Sequence, residues 1–255
     1  MLAITGVTKK FGRLTAVDQL TLNVPAGCVH AFLGPNGAGK TTTIRMCVGL
    51  LKPDVGAISV AGHDVVTDGV AARKLLAYVP DEPYLYERLT GREFLDFTAR
   101  IYGLDQATWQ RRLGEVSERF SLGEFIDQLA EGYSHGMRQR VVLAAALLHA
   151  PRLLIVDEPL VGLDPRHIRI VLDLFREMAD NGGAVLMSTH TMATVVGLAD
   201  AITVMDHGKA LASGAVADIT GDRDLESRFF ELTEGGPGPQ PPATAKAKAA
   251  PPPAT

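Results

Sequence analysis

The residues Gly34-Pro35-Asn36-Gly37-Ala38-Gly39-Lys40-Thr41 follow the pattern G-x-x-x-x-G-K-[ST] without a gap, and this constrains the fold more than any other stretch. Glycines at 34, 37 and 39 let the backbone turn with positive φ and approach a ligand closely, so that successive N–H groups converge on an anion. Lys40 adds a mobile positive charge for terminal phosphates, and the Thr41 hydroxyl is a hard ligand for Mg²⁺ beside them. The flanks suit the motif. Val29, Ala31, Phe32 and Leu33 predict a buried strand, and residues 41–50 predict a helix whose positive end faces the phosphates. Pro35, Asn36, Ala38 and Thr42 complete the expected nucleotide cradle.

A strand feeding a loop and a helix implies an α/β chain, and 255 residues suffice for one such domain. The net charge of −4 and pI near 6.0 offer no basic field, so no nucleic-acid partner is expected. No stretch approaches the ~20 apolar residues of a membrane span. Met1-Leu2-Ala3-Ile4-Thr5 lacks the charged and apolar regions of a secretory leader, so a cytoplasmic location is expected. Cys28 and Cys47 read as small buried residues in a reducing compartment.

Leu20, Leu22 and Val24 alternate with polar residues, and Leu2, Ile4 and Val7 suggest an antiparallel partner strand. Lys9-Lys10-Phe11-Gly12 reads as the turn between them. Phe11 is either a sheet-edge packing residue or an aromatic platform for a purine base. Past the phosphate loop, strands are expected over residues 56–60 and 75–79, the second closed by Pro80. From Asp81 to about Ala150 the pattern turns helical. Thr90-Gly91-Arg92-Glu93 is a capping box, after which Phe94, Phe97 and Ile101 fall on one helix face. Asp105 starts the next helix, with Trp109, Leu113, Val116 and Phe120 as its core stripe.

Tyr133-Ser134-His135-Gly136-Met137-Arg138-Gln139-Arg140 is a polar, glycine-containing turn that runs into a helix reaching about His149. Leu153-Leu154-Ile155-Val156-Asp157 is an apolar run ending in a carboxylate, as in a central parallel strand whose tip meets the ligand, and Glu158 follows at once. Gly162-Leu163-Asp164-Pro165 supplies an N-cap and a first helical residue. Residues 184–188 read as a strand leading to Ser188-Thr189-His190, and residues 201–206 and 209–213 as a hairpin around His207-Gly208. Residues 225–232 read as a last helix. Seven of the fifteen prolines lie between Gly235 and Thr255, a composition that cannot form a core and predicts disorder.

With the phosphate loop upstream and the acidic strand end downstream, residues 133–140 resemble the signature motif of ATP-binding cassette (ABC) ATPases. The resemblance covers residues 1–232, with 233–255 as a tail. It implies a P-loop NTPase core with a mainly parallel sheet, an N-terminal antiparallel β subdomain and an all-helical insertion at about residues 81–150. The commonest signature is L-S-G-G-Q. Y-S-H-G-M here resembles the Y-S-x-G-M variant of bacterial transporters whose membrane subunit is a separate chain.

By resemblance, Lys40, Glu158 and His190 are catalytic, with Glu158 the general base and His190 the switch histidine. Asp157 organises Mg²⁺ with Thr41. Ser134 and Gly136 contact the γ-phosphate of an ATP held by the opposite protomer, and Asp164, in a stretch resembling the family's D-loop, is a further nucleotide-site residue. A glutamine usually follows the strand closed here by Pro80, and Asp81 stands in its place, so Asp81 or its neighbour Glu82 is a candidate Mg²⁺ contact. The implied function is the ATPase subunit of an exporter, forming a homodimer or pseudo-dimer around two MgATP and driving a separate integral membrane permease from the inner face of the membrane. A translation or DNA-repair ATPase of the same superfamily and a nucleotide-binding regulator are the alternatives.

Overall fold

A computed structural model describes residues 1–234; the tail expected over 235–255 lies outside the described residues. Two sheets, nine α-helices and one 3-10 turn (Ala130–Gly132) are built from these residues. In the first sheet, β1 (Leu2–Phe11) pairs antiparallel with β2 (Leu14–Val24), setting Leu2 opposite Val24, Ile4 opposite Leu22 and Val7 opposite Leu20. β4 (Val55–Val60) flanks β1 on its other side, and the short β5 (His63–Asp64) completes the order β2-β1-β4-β5. The expected turn at residues 9–12 is corrected. Lys9, Lys10 and Phe11 continue β1, because the antiparallel ladder carries pairing on to Phe11 opposite Leu14 and leaves only Gly12 and Arg13 to reverse the chain.

The second sheet comprises β3 (Cys28–Leu33), β6 (Leu76–Val79), β7 (Leu153–Asp157), β8 (Ala184–Ser188), β9 (Ala201–Asp206) and β10 (Lys209–Ala215), in the order β10-β9-β3-β8-β7-β6. All neighbours are parallel except β9 and β10. Every residue of β3, β7 and β8 is buried, as expected of parallel strands covered on both faces. Alternation then divides the core. Leu154, Val156, Val185 and Met187 pack with the helical insertion, whereas Leu153, Ile155, Ala184 and Leu186 pack with the antiparallel sheet.

The helices are α1 (Lys40–Cys47), α2 (Gly69–Leu75), α3 (Gly91–Ile101), α4 (Gln106–Arg119), α5 (His135–Leu147), α6 (Pro165–Asp180), α7 (Met192–Leu198), α8 (Val216–Thr220) and α9 (Leu225–Glu234). The capping box at Thr90 and Glu93 is formed, Asp105 caps α4, and Asp164 caps α6 with Pro165 following. The insertion is tied by Tyr133, whose hydroxyl accepts from Gly91 N–H at 3.0 Å and donates to the Phe125 and Gln128 carbonyls at 2.9 and 3.0 Å.

Further boundaries differ from expectation. Leu75 closes α2 instead of opening a strand, since the backbone becomes extended only at Leu76. Residues 81–90 precede α3 without forming a helix. α3 buries Gly91, Leu95 and Ala99 and leaves Phe97 and Ile101 exposed, so the apolar periodicity there marks a surface. α9 continues past Leu232 to Glu234. Among the described residues no helix is long and apolar enough to cross a membrane.

Candidate nucleotide site

The C-terminal ends of β3, β8, β7 and β6 lie side by side, which sets the loops after them in one row, the usual ligand edge of an open parallel sheet. The loop after β3 is Gly34 to Gly39. A Cβ at Gly34 would sit 2.4 Å from the Met205 carbonyl oxygen, and one at Gly39, where φ is 101°, would sit 2.5 Å from that of Ala16. Glycine is required at both places because the loop is pressed against β9 and β2. The first amides of α1 have no intrahelical partner, and no side chain caps them.

Lys40 is buried, and its Nζ donates to the Gly34 and Pro35 carbonyls at 2.6 and 3.1 Å. Burial lowers its pKa, with Glu158 and Asp157 acting in the opposite direction. A cleft of about 490 Å³ opens beside it, lined by Phe11, Asn36, Gly37, Ala38, Thr41 and Thr42 among others. Phe11 is 49% exposed and lines this cleft beside the phosphate loop, with Lys9 Nζ 5.6 Å from its ring centroid. His207 and Gly208, not expected from the sequence as site residues, also line the cleft. The cue was the His-Gly hairpin tip, whose left-handed φ values of 45° and 80° suit a tight two-residue turn.

Asp157 is buried at the end of β7, and its Oδ1 accepts a hydrogen bond from the Ser188 hydroxyl. Its Oδ2 is buried with no partner. Such an orphaned oxygen is costly unless something positive meets it. Glu158 takes a left-handed φ of 48°, and its N–H faces the carbonyl and hydroxyl oxygens of Ser188 at 3.2 and 3.1 Å. Its Oε2 lies 3.0 Å from His190 Nδ1. Ser188 thus anchors both acids, a role legible only from the β7–β8 register that sets it opposite Asp157. Asp81 is exposed just after β6. Its pKa is raised by partial burial, then by Asp157 and Glu158, so it shares their field.

Mg²⁺ fits this set. The free Asp157 Oδ2 and the Thr41 hydroxyl are hard oxygen donors, the kind Mg²⁺ prefers. Among the described residues no group of three or more His, Cys, Asp or Glu side chains converges on one point, so such side chains alone would not fill the coordination shell of the ion.

Ser134, Gly136 and Asp164 are not brought to this cleft. They line a second concavity of about 310 Å³ that shares no residue with the first. Ser134 caps α5, its Oγ accepting from Met137 N–H at 3.3 Å. A Cβ on Gly136 would stand 2.8 Å from the Gly162 carbonyl oxygen, and Gly162 lies under the His135 ring. Asp164 Oδ1 accepts from the Arg166 and His167 amides at 3.0 and 3.1 Å, and its Oδ2 lies 2.6 Å from His167 Nδ1.

Comparison with known proteins gives a consistent answer. The sequence model of the family described as ABC transporter matches residues 17–161. The daunorubicin/doxorubicin resistance ATP-binding protein DrrA of Streptomyces peucetius is 42% identical over 84% of this chain and 65% of its own length. The daunorubicin resistance ATP-binding protein DrrA3 of Streptomyces coeruleorubidus is 40% identical over 92% of this chain and 74% of its own. The solved structure of an ATP-binding subunit of an ABC transporter superposes with a TM-score of 0.87 at 34% identity, covering 91% of this chain and 99% of that one.

Proposed function

Because the chain belongs to the ABC transporter family of ATPases, we propose that it is the ATP-hydrolysing subunit of an exporter, closing head to tail with a second nucleotide-binding subunit around two MgATP. The observation that carries this reading is the separation of the two half-sites. Lys40, Asp157, Glu158 and His190 stand along one row, while Ser134, Gly136 and Asp164 line a concavity with no residue in common with the phosphate cleft. A single chain offers two incomplete halves, and a second copy turned head to tail completes both.

In the mechanism, ATP phosphates replace the Gly34 and Pro35 carbonyls as partners of Lys40, and the loop amides hold the phosphate oxygens. Phe11 stacks on the adenine. Asp157 and Thr41 would hold Mg²⁺, with Asp81 as a further candidate contact, and the bound ion would supply positive charge against the phosphates. Glu158 takes a proton from the attacking water as that oxygen reaches the terminal phosphorus. His190, whose Nδ1 lies 3.0 Å from Glu158 Oε2, orients the carboxylate and then contacts the terminal phosphate. Ser134 and Gly136 of the second subunit close on the same phosphate, so hydrolysis removes the contact that holds the subunits together.

The permease is a separate membrane chain, and it holds this subunit at the inner face of the membrane. Its contact is the exposed aromatic face of the insertion. Tyr84, Tyr86, Phe97, Ile101 and Tyr102 remain accessible there, and Tyr86 packs edge-on against both Tyr84 and Phe97. This face follows Asp81 closely in sequence, which links it to the catalytic row. The naming of the Streptomyces relatives for drug resistance supports outward transport.

The test is Glu158→Gln. The variant keeps ATP binding and loses hydrolysis by roughly 10²- to 10⁴-fold, the contribution of a positioned general base. Wild-type phosphate release from the purified variant refutes the assignment.

A further inference from the structure

Arg140, His167 and Asp164 form one hydrogen-bonded file across the second concavity. From α5, Arg140 Nη1 lies 3.1 Å from His167 Nε2 and also reaches the carbonyls of Phe120 and Ser121 at 3.1 and 3.4 Å, with its guanidinium 4.6 Å above the Phe125 ring. From α6, His167 Nδ1 lies 2.6 Å from Asp164 Oδ2, and the His167 side chain is only 11% exposed. A guanidinium has donors only and an ionised carboxylate has acceptors only. His167 must therefore accept at Nε2 and donate at Nδ1. Only the neutral Nδ1–H tautomer does both.

We propose that His167 is a positioning residue that fixes Asp164 relative to Ser134 and Gly136, so that the half-site offered to a second copy's nucleotide is assembled only while this imidazole is neutral. The proposal deepens the reading of the chain as a head-to-tail ATPase and rests on it. Asp164 has no other anchor for Oδ2, because Oδ1 already caps α6. The two walls also touch directly, with no room for a Cβ on Gly136 against the Gly162 carbonyl, so a shift of Asp164 that carried Gly162 with it displaces the α5 N-terminus.

Protonation at Nε2 sets an N–H against the Arg140 N–H groups and breaks the file on the α5 side. The charged groups that meet the ring are Arg140 from α5 and Asp164 from its own helix. His135 lines the same concavity, and Glu124 acts on Arg140 from the insertion. Burial lowers the Arg140 pKa while Asp164 and Glu124 raise it.

The experiment uses the full chain carrying Glu158→Gln, and measures MgATP-dependent self-association by light scattering at about pH 8 and about pH 6, the span over which an imidazole ordinarily takes up a proton. It is repeated with His167→Gln and His167→Leu added. A glutamine carbonyl accepts from Arg140 while its amide donates to Asp164, and the side chain does not titrate. The parent should need roughly tenfold more MgATP at the lower pH, the loss of one charge-assisted hydrogen bond. His167→Gln should match the parent at the higher pH and stay there at the lower one, and His167→Leu should be weak at both.

A parallel nitrogen-15 spectrum of the ATP-free chain at about pH 8 should show His167 as the Nδ1–H tautomer. Equal pH dependence in the parent and His167→Gln, parent-like association of His167→Leu, or an Nε2–H tautomer each overturns the proposal while leaving the function standing. If His167→Leu does not fold, the comparison of the parent with His167→Gln decides. A parent that never associates with MgATP removes the ATPase dimer reading and this proposal with it.

Discussion

The two half-sites are made in different ways. The phosphate loop is cast by backbone: it leaves a fully buried strand, and its glycines press on main-chain carbonyls of β9 and β2. The Ser134–Asp164 half hangs on side chains, with Arg140 and His167 spanning α5 and α6. Backbone register in a covered sheet is strongly specified, whereas a side-chain file changes with one proton or one substitution. The first half is therefore fixed by the backbone. The second is the part a cell or an engineer can tune.

The largest effect expected on the cast half is at His30, buried in β3 below the loop. Its Nε2 lies 2.8 Å from Thr203 Oγ1, and burial pushes its pKa down to about 4. Above about pH 6.5 the ring is neutral in both folded and unfolded chains, so its protonation makes no difference to stability. Between about 6.5 and about 4 the unfolded chain takes up a proton that the folded ring refuses. Stability should thus fall by about 3 kcal/mol as pH drops through that window, and level off below it. Urea unfolding of the wild type and of His30→Asn at about pH 7 and about pH 5 checks this; equal pH slopes would show that His30 does not govern the acid response.

A smaller effect is expected at the rim. Phe11→Ala should weaken ATP binding by roughly five- to tenfold, from about 1 kcal/mol of lost ring stacking, and leave the hydrolysis rate at saturating ATP unchanged. A loss confined to turnover would move Phe11 out of the base platform. Smallest of all is Asp81→Ala, which should raise the Mg²⁺ needed for half-maximal hydrolysis by roughly twofold to threefold, because water replaces one oxygen ligand. An unchanged Mg²⁺ titration would leave Asp81 without a metal role.

The same contrast explains what could be read from the sequence. The strand–loop–helix around Lys40 and the buried strand ending at Asp157 were legible because the glycine spacing and the continuous apolar run are local signals. Thr90, Asp105 and Asp164 were legible as caps because local hydrogen bonding alone defines them. Helices α2, α7 and α8 went unseen, being short pieces of five to seven residues held by tertiary packing and not by a periodic stripe. Phe97 and Ile101 were placed on a face correctly, yet periodicity does not say whether a face meets the core or the outside. Ser188 and His167 owe their roles to partners more than twenty residues away in sequence, Asp157 and Arg140, which no local pattern reports.

The central claim is that each nucleotide is shared between the phosphate loop of one chain and the Ser134 wall of another. Lys40→Ala disables the first half and Ser134→Arg blocks the second, so each variant alone forms dimers with two broken sites. Mixed together they form some head-to-tail dimers in which one site combines both lesions and the other combines two intact halves. Phosphate release from the two inactive variants, assayed singly and as an equimolar mixture beside wild type with the permease present, should return in the mixture to a fraction of the wild-type rate. No recovery on mixing, with wild type active under the same conditions, would contradict a working site shared between chains.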